Sequence, residues 1–211
     1  MEFARFISAL VASYLCGSIP FAYLIARARG VDIRRVGSGN VGATNVFRTV
    51  SRPLGVLVFV LDMAKGYAPA LWGARLISDE STSALVQLSC GAAAILGHTW
   101  PVWLRFKGGK GVATGAGVLW AVAPSVAALA IVGWILVFAV SRYVSLASIA
   151  AALVAAAGSW GFYPARDPRP TAITMLAAIV VMRHRSNIRR LLAGDELRAG
   201  ARRRTPENAS R

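Results

Sequence analysis

The chain has little of several residue types. Cysteine occurs twice in 211 residues, at Cys16 and Cys90, both inside apolar runs. A disulfide framework is improbable, and no CxxC metal pattern exists. Histidine also occurs twice, at His98 and His184, too few for a histidine cluster around zinc. Acidic residues number 9 against 24 basic ones. The side of the chain that gathers its basic loops carries only Asp32, Asp195, Glu196 and Glu207 as carboxylates, which leaves little for a magnesium site. No metal and no cofactor is therefore expected. Charged residues amount to 16%, against about 25% in a typical soluble protein.

Apolar residues are abundant instead, at 56% before 20 glycines are counted. That content excludes disorder over most of the chain, and recurring apolar runs near span length argue against one soluble core. The first run, about residues 3–26, is too long for a signal-peptide core and is followed by others. Further spans are expected at 53–76, with Ser51 as helix cap and Pro53 in the first turn, at 84–104, and at 144–163. The apolar stretch 111–140 is too long for one span and splits at Pro124 into a short helix and a longer one. A short last span ends near Met182, after a loop over 164–170. Residues 77–83 read as a short polar loop, and the basic tail frays past Gly200. The expected fold is thus an all-α integral membrane protein of about seven transmembrane helices. It forms one polytopic domain over 1–200, with a basic disordered tail over 201–211.

Basic residues partition unevenly between the two faces of that arrangement. Six arginines in 27–52, three basic residues in 105–110, Arg142 and nine arginines from Arg183 onward fall on one side. Arg5, Arg75, Arg166 and Arg169 fall on the other. The positive-inside rule makes the richer side cytoplasmic, the N-terminus external and the C-terminus internal. A formal charge of +15 suits anionic lipid and, more pointedly, an anionic substrate. Nucleic acid is a poor partner, because membrane spans separate the basic residues.

Three polar stretches on the basic side could carry chemistry. The first, GSGNVGATNVFR at 37–48, crowds Gly37, Ser38, Gly39, Asn40, Thr44, Asn45 and Arg48 beside the membrane. Glycine lets several N–H groups point at one anion, and arginine adds a forked fixed charge. The second, KGGKGVAT at 107–114, places Lys107, Gly108, Gly109, Lys110, Gly111 and Thr114 before a predicted helix, whose free N–H groups favour phosphate. Two of the three lysines in the chain, Lys107 and Lys110, fall here. Gly111 follows Lys110 where a Walker A loop needs Ser or Thr, so this is no P-loop. The third, HRSNIRRLLAGDE at 184–196, would put His184, Asn187 and Leu191 on one helix face, and His184 could move a proton or bind an anion. Arg142 adds a cation in a tight loop on the same side.

Within the spans, Asp62 and Lys65 stand three residues apart. Such a pair is costly unless buried in the bundle or lining a wet cavity, and both readings stay open. His98, in GHTWP at 97–101, fits an interfacial histidine. No GxSxG elbow occurs. Neither histidine is followed five residues later by Asp, since Trp103 and Arg189 stand there, so the HxxxxD pattern of acyl-CoA-dependent glycerolipid acyltransferases is absent.

Together with GSIP at 17–20, LDMAKG at 61–66 and GHTWPVW at 97–103, these stretches resemble the bacterial acyl-phosphate:glycerol-3-phosphate acyltransferase (PlsY) family. The likeness runs from about residue 13 to 196, and the order and spacing of the motifs make it specific. It implies an enzyme of the bacterial inner membrane with a cytoplasmic active site. That enzyme would move a fatty acyl group from acyl phosphate to the 1-hydroxyl of glycerol 3-phosphate, the first step of bacterial phospholipid synthesis. It implies catalytic Ser38, Arg48, His184 and Asn187, a glycerol-phosphate loop from Gly108 to Thr114, and a structural Glu196. Partners would be both substrates, membrane lipids and an upstream enzyme producing acyl phosphate. The proton acceptor is left open between His184 and the substrate's own phosphate. A transporter of phosphorylated solutes would share the basic loops, but no internal repeat is found. A lipid-binding scaffold would not need Ser38 and Asn187 in so ordered a setting.

Overall fold

The computed structural model describes residues 2–75 and 83–200. The tail over 201–211 and nearly all of the loop over 77–83 lie outside the described residues. Among the described residues the secondary structure is helical throughout: α1 (Glu2–Ser18), α2 (Phe21–Arg27), α3 (Ala43–Thr49), α4 (Arg52–Arg75), α5 (Ser83–Thr99), α6 (Val112–Val122), α7 (Pro124–Ser141), α8 (Val144–Phe162), α9 (Pro168–Arg183) and α10 (Arg185–Leu192). Four stretches are long and apolar enough to cross a membrane: Phe3–Arg27, Arg52–Gly73, Pro124–Ser141 and Val144–Phe162. Helices α5, α6 and α9 are shorter, with 17, 11 and 16 residues.

Proline sets several boundaries. The expected first span breaks at Ile19-Pro20, because proline disfavours helical geometry in the residue before it. Pro124 opens α7 one residue after α6 ends, as expected from the sequence. Pro168 opens α9 within the stretch expected to be loop. Asp167 caps that helix by accepting from the Arg169 N–H at 2.9 Å. The expected third span also ends early. Helix α5 stops at Thr99, and Val102–Leu104 form one 3₁₀ turn. The Gly-rich stretch 27–52 is not all loop, since α3 lies within it.

Small residues let the helices approach closely. A Cβ on Gly66 would collide with the Thr114 carbonyl, and one on Gly117 with the Met63 carbonyl, so α4 and α6 touch backbone to backbone. Gly17 meets Ala94 in the same way, joining α1 to α5. This is the packing that apolar lipid, which offers no hydrophobic drive between helices, rewards. The main core runs through Ala70, Leu88, Ile95, Val118, Val126, Ala155 and Ile173. A second core of Ala22, Ile33, Val41, Val46, Val58 and Leu104 underlies the first polar stretch. Helix α7 exposes Val132, Ile135, Leu136 and Val140, a face suited to lipid.

Gly117→Val forces a branched side chain into the Met63 backbone and is expected to lower stability by about 1–3 kcal/mol. Gly161 has open space around its Cβ position, so Gly161→Ala should be neutral or gain about 0.5–1 kcal/mol from helix propensity. Thermal unfolding of the two variants in detergent checks the opposite signs.

Candidate active site

The three polar stretches meet around a cavity of about 870 Å³. Its polar wall includes Gly37, Ser38, Asn40, Thr44 and Arg48 from the first stretch and Lys110 and Gly111 from the second. The third contributes His184, Asn187, Arg190, Asp195 and Glu196. The remaining wall is mostly apolar and comes from α4 to α9, with Phe59, Leu88, Ile95, Val118, Trp120, Ile131, Trp134 and Ile173, and Asp62 and His98 also reach it. Trp134 and Phe138 stack along it at 4.8 Å between ring centroids. The volume and the mixed lining are those of a small-ligand site.

Glu196 organises the polar wall. Its Oε1 accepts from Asn187 Nδ2 at 2.7 Å and from Ser145 Oγ at 2.8 Å, and its Oε2 accepts from Arg190 Nε at 2.7 Å. Burial disfavours its charge, but these donors hold the carboxyl below its usual range. With its amide group facing Glu196, Asn187 turns its oxygen to Lys110, whose ammonium donates to it. Burial lowers Lys110 to about 8, with neighbouring Arg190, Arg183 and Arg48 adding to the effect and Glu196 opposing it. His184 is buried, and its Nδ1 lies 2.8 Å from the Val180 carbonyl. That contact assigns the proton to Nδ1 and leaves Nε2 as an acceptor. Burial first, and Lys110 second, push His184 down to about 4, so the ring is neutral near pH 7.

In the first stretch, Gly37 and Gly39 take left-handed backbone, at φ +58° and +70°, and carry Ser38 between them at the cavity wall. Gly39 itself lies off that wall. Asn45, expected to bind substrate, lines the cavity and also pins the loop. Its Nδ2 reaches the carbonyls of Ile33, Val36 and Asn40, each at 3.1 Å, and its Oδ1 accepts from the Ser38 N–H at 3.1 Å. Thr44 and Arg48 share one face of α3 toward the cavity. Arg48 also donates to the Leu197 carbonyl at 3.2 Å, which ties α3 to the segment after α10.

The second stretch departs further from expectation. Lys107 is exposed and off the main cavity. The N–H groups of Gly108 and Gly109 do not face the cavity, because they donate to the carbonyls of Thr99 at 3.2 Å and His98 at 3.1 Å. Their own carbonyls accept from Arg183 at 3.2–3.3 Å. Both glycines are sites of close packing. Thr114 is buried against Gly66 of α4, and its hydroxyl has no partner. What reaches the cavity is Lys110, Gly111 and the first turn of α6, a helix start with free N–H groups. Arg142 is exposed at the end of α7, outside the main cavity, and its carbonyl accepts from the Ala199 N–H. Sequence reasoning missed Ser145 and Arg190. Ser145 had no local signal, while Arg190 stood inside the quoted third stretch.

Comparison with known proteins identifies the family. The glycerol-3-phosphate acyltransferase family model matches residues 7–194. The glycerol-3-phosphate acyltransferase of Anaeromyxobacter dehalogenans (strain 2CP-C) is 44% identical over 188 residues, which are 89% of this chain and 94% of that protein. That of Aquifex aeolicus (strain VF5) is 46% identical over 194 residues, 90% and 96% of the two chains. A crystal structure of PlsY, an integral membrane glycerol 3-phosphate acyltransferase, in its glycerol 3-phosphate form superimposes with a TM-score of 0.86 at 44% identity. It covers 92% of this chain and 96% of that one. Its lysophosphatidic acid form gives 0.83 at 43% identity, covering 92% and 95%. On this likeness over nearly its whole length, the chain belongs to the glycerol-3-phosphate acyltransferase family and is an integral membrane acyltransferase.

Proposed function

We propose that this enzyme transfers a fatty acyl group from acyl phosphate to the 1-hydroxyl of glycerol 3-phosphate. The products are lysophosphatidate and inorganic phosphate, in the first step of bacterial phospholipid synthesis. The observation that carries this reading is the divided cavity: one side gathers Arg48, Lys110, Arg190 and the α6 start among polar neighbours, and the larger part of the remaining lining is apolar. Phosphate groups suit the first part and an acyl chain the second. The donor is an activated mixed anhydride, so positioning and cationic stabilisation suffice without a nucleophilic side chain. The 1-hydroxyl oxygen attacks the acyl carbonyl, an ester C–O bond forms, and the bond to phosphate breaks. Ser38, Arg48 and Lys110 supply donors around the reacting groups, and Asn187 holds Lys110 through its amide oxygen. The proton goes to a substrate phosphate, whose second pKa of about 6 makes it a better acceptor than His184, held at about 4. His184 orients substrate through its neutral ring.

The same reading places the chain in the bacterial inner membrane with seven crossings, the N-terminus outside and the polar wall facing the cytoplasm. The distribution of basic residues supports it. The shorter α5, α6 and α9 are accommodated by tilt or a locally thinner bilayer. Acyl phosphate would be supplied by an upstream enzyme that makes it.

Purified protein in detergent should convert acyl phosphate and radiolabelled glycerol 3-phosphate into labelled lysophosphatidate. Acyl-CoA alone should support no turnover, and robust turnover with it would reject the assignment. Lys110→Ala should mainly raise the glycerol 3-phosphate KM. Losing a charged hydrogen bond costs about 1.5–3 kcal/mol, roughly ten- to a hundred-fold in affinity. Since Lys110 is charged only below about 8, kcat/KM for glycerol 3-phosphate should fall as pH rises through that value. Lys110→Arg should move this alkaline limb upward. Ser38→Ala should lower kcat with little change in that KM, the signature of a contact strengthened in the transition state. An acyl adduct on Ser38, seen by mass spectrometry after a quench with acyl phosphate alone, would overturn direct transfer.

A further inference from the structure

Asp62, Lys65 and His98 lie outside the three polar stretches, yet they are among the most buried polar residues described, at 2%, 5% and 7% exposure. Lys65 Nζ sits 2.8 Å from Asp62 Oδ1 and donates to the Ile19 carbonyl at 2.7 Å. That carbonyl belongs to the break between α1 and α2, where the helical ladder stops. His98 Nδ1 lies 3.7 Å from the same Asp62 oxygen. The His98 ring fills the space over Gly109, where a Cβ would collide with it. The His98 carbonyl accepts from the Gly109 N–H, and the Thr99 carbonyl from the Gly108 N–H. The cluster and both glycines share the walls of a small cavity of about 10 Å³. A cluster of charges is expensive to bury in an apolar bundle, and Lys110 follows directly on the loop it touches.

We infer that Asp62, Lys65 and His98 form a positioning bridge. It runs from the α1–α2 break, through the buried ion pair and the His98 ring, to the loop that aims Lys110 at the glycerol 3-phosphate side of the cavity. This inference rests on the proposed substrate. Asp62 orients His98, the His98 ring and carbonyl fix Gly108 and Gly109, and the carbonyls of those glycines face Arg183. The loop is thereby gripped on its N–H side by α5 and on its carbonyl side by α9. Lys110 then has one direction available.

The test uses the full chain in detergent and two variants, His98→Ala and the double variant Asp62→Asn/Lys65→Met. The double variant removes both charges while keeping volume, a change that buried pairs often tolerate in stability. Thermal unfolding and the Michaelis constants for both substrates are measured. The expected result is a double variant that unfolds near the wild-type temperature, with a glycerol 3-phosphate KM raised about tenfold or more by misplacement of the loop. The acyl phosphate KM should be unchanged, and His98→Ala should show the same split. A purely structural role would move both constants together or neither. A folded double variant with a wild-type glycerol 3-phosphate KM overturns the inference, and so does a double variant that cannot fold. Wild-type protein inactive with both substrates would instead refute the proposed function.

Discussion

The polar wall depends on one carboxylate. Glu196 takes donors from Ser145 on α8 and from Asn187 and Arg190 on α10. Without it, Asn187 would be free to turn its amide group toward Lys110, and two donors would face each other. With it, the Asn187 oxygen is presented to Lys110, and the lysine is held where burial alone would leave it unmatched. Satisfied buried networks of this kind specify one geometry because each wrong orientation strands a donor or an acceptor. The third stretch therefore acts by arranging the second, and its sequence separation of 77 residues from Lys110 is closed by an amide and a carboxylate.

Electrostatics then separates cations from acid–base chemistry. Arg48, Lys110 and Arg190 lie around one cavity wall, a concentration that water-exposed loops would screen and that a half-buried site does not. The same field keeps His184 neutral. Burial acts first and Lys110 second, so the imidazole offers an uncharged acceptor where a protonated ring would add one more positive charge. A site built this way suits substrates that bring their own negative charge and their own proton acceptor.

Much of this was legible in the sequence, though not evenly. Residue type singled out 37–48, 107–114 and 184–196, since few other roles demand so many donors beside a membrane, and the structure brings parts of all three to one cavity. Pro124 marked the α6–α7 boundary because proline acts through its immediate neighbours. The residues whose surroundings differ from expectation share a physical reason: their neighbours are remote in sequence. Asn45 looks like a ligand until the carbonyls of Ile33, Val36 and Asn40 surround it. Gly108 and Gly109 look like a phosphate cradle until His98 and Thr99 take their N–H groups. Thr114 was read as part of the 107–114 stretch and Arg142 as a cation on the same side, but helix rotation turns one toward α4 and the end of α7 leaves the other exposed. Composition reports which groups are available and not which of them the backbone has already engaged.

The shape of the cavity carries a last consequence. The polar wall is drawn mainly from loops and the short helices α3 and α10, whereas the apolar lining is drawn mainly from the sides of α4 to α9. A molecule with a phosphate at one end and a hydrocarbon chain at the other can satisfy both walls in one orientation only, since reversing it would bury charge against Trp134 and Ile173 without partners. On the proposed reading, the bond joining phosphate to acyl carbon would lie where the two walls meet, close to Ser38, Arg48 and His184. Glycerol 3-phosphate has no long apolar part and is confined to the polar wall, so its hydroxyl approaches that same boundary. In that proposal the fold brings the two reacting groups together by sorting their polarity, and cations with a greasy wall do what another enzyme would assign to a nucleophile.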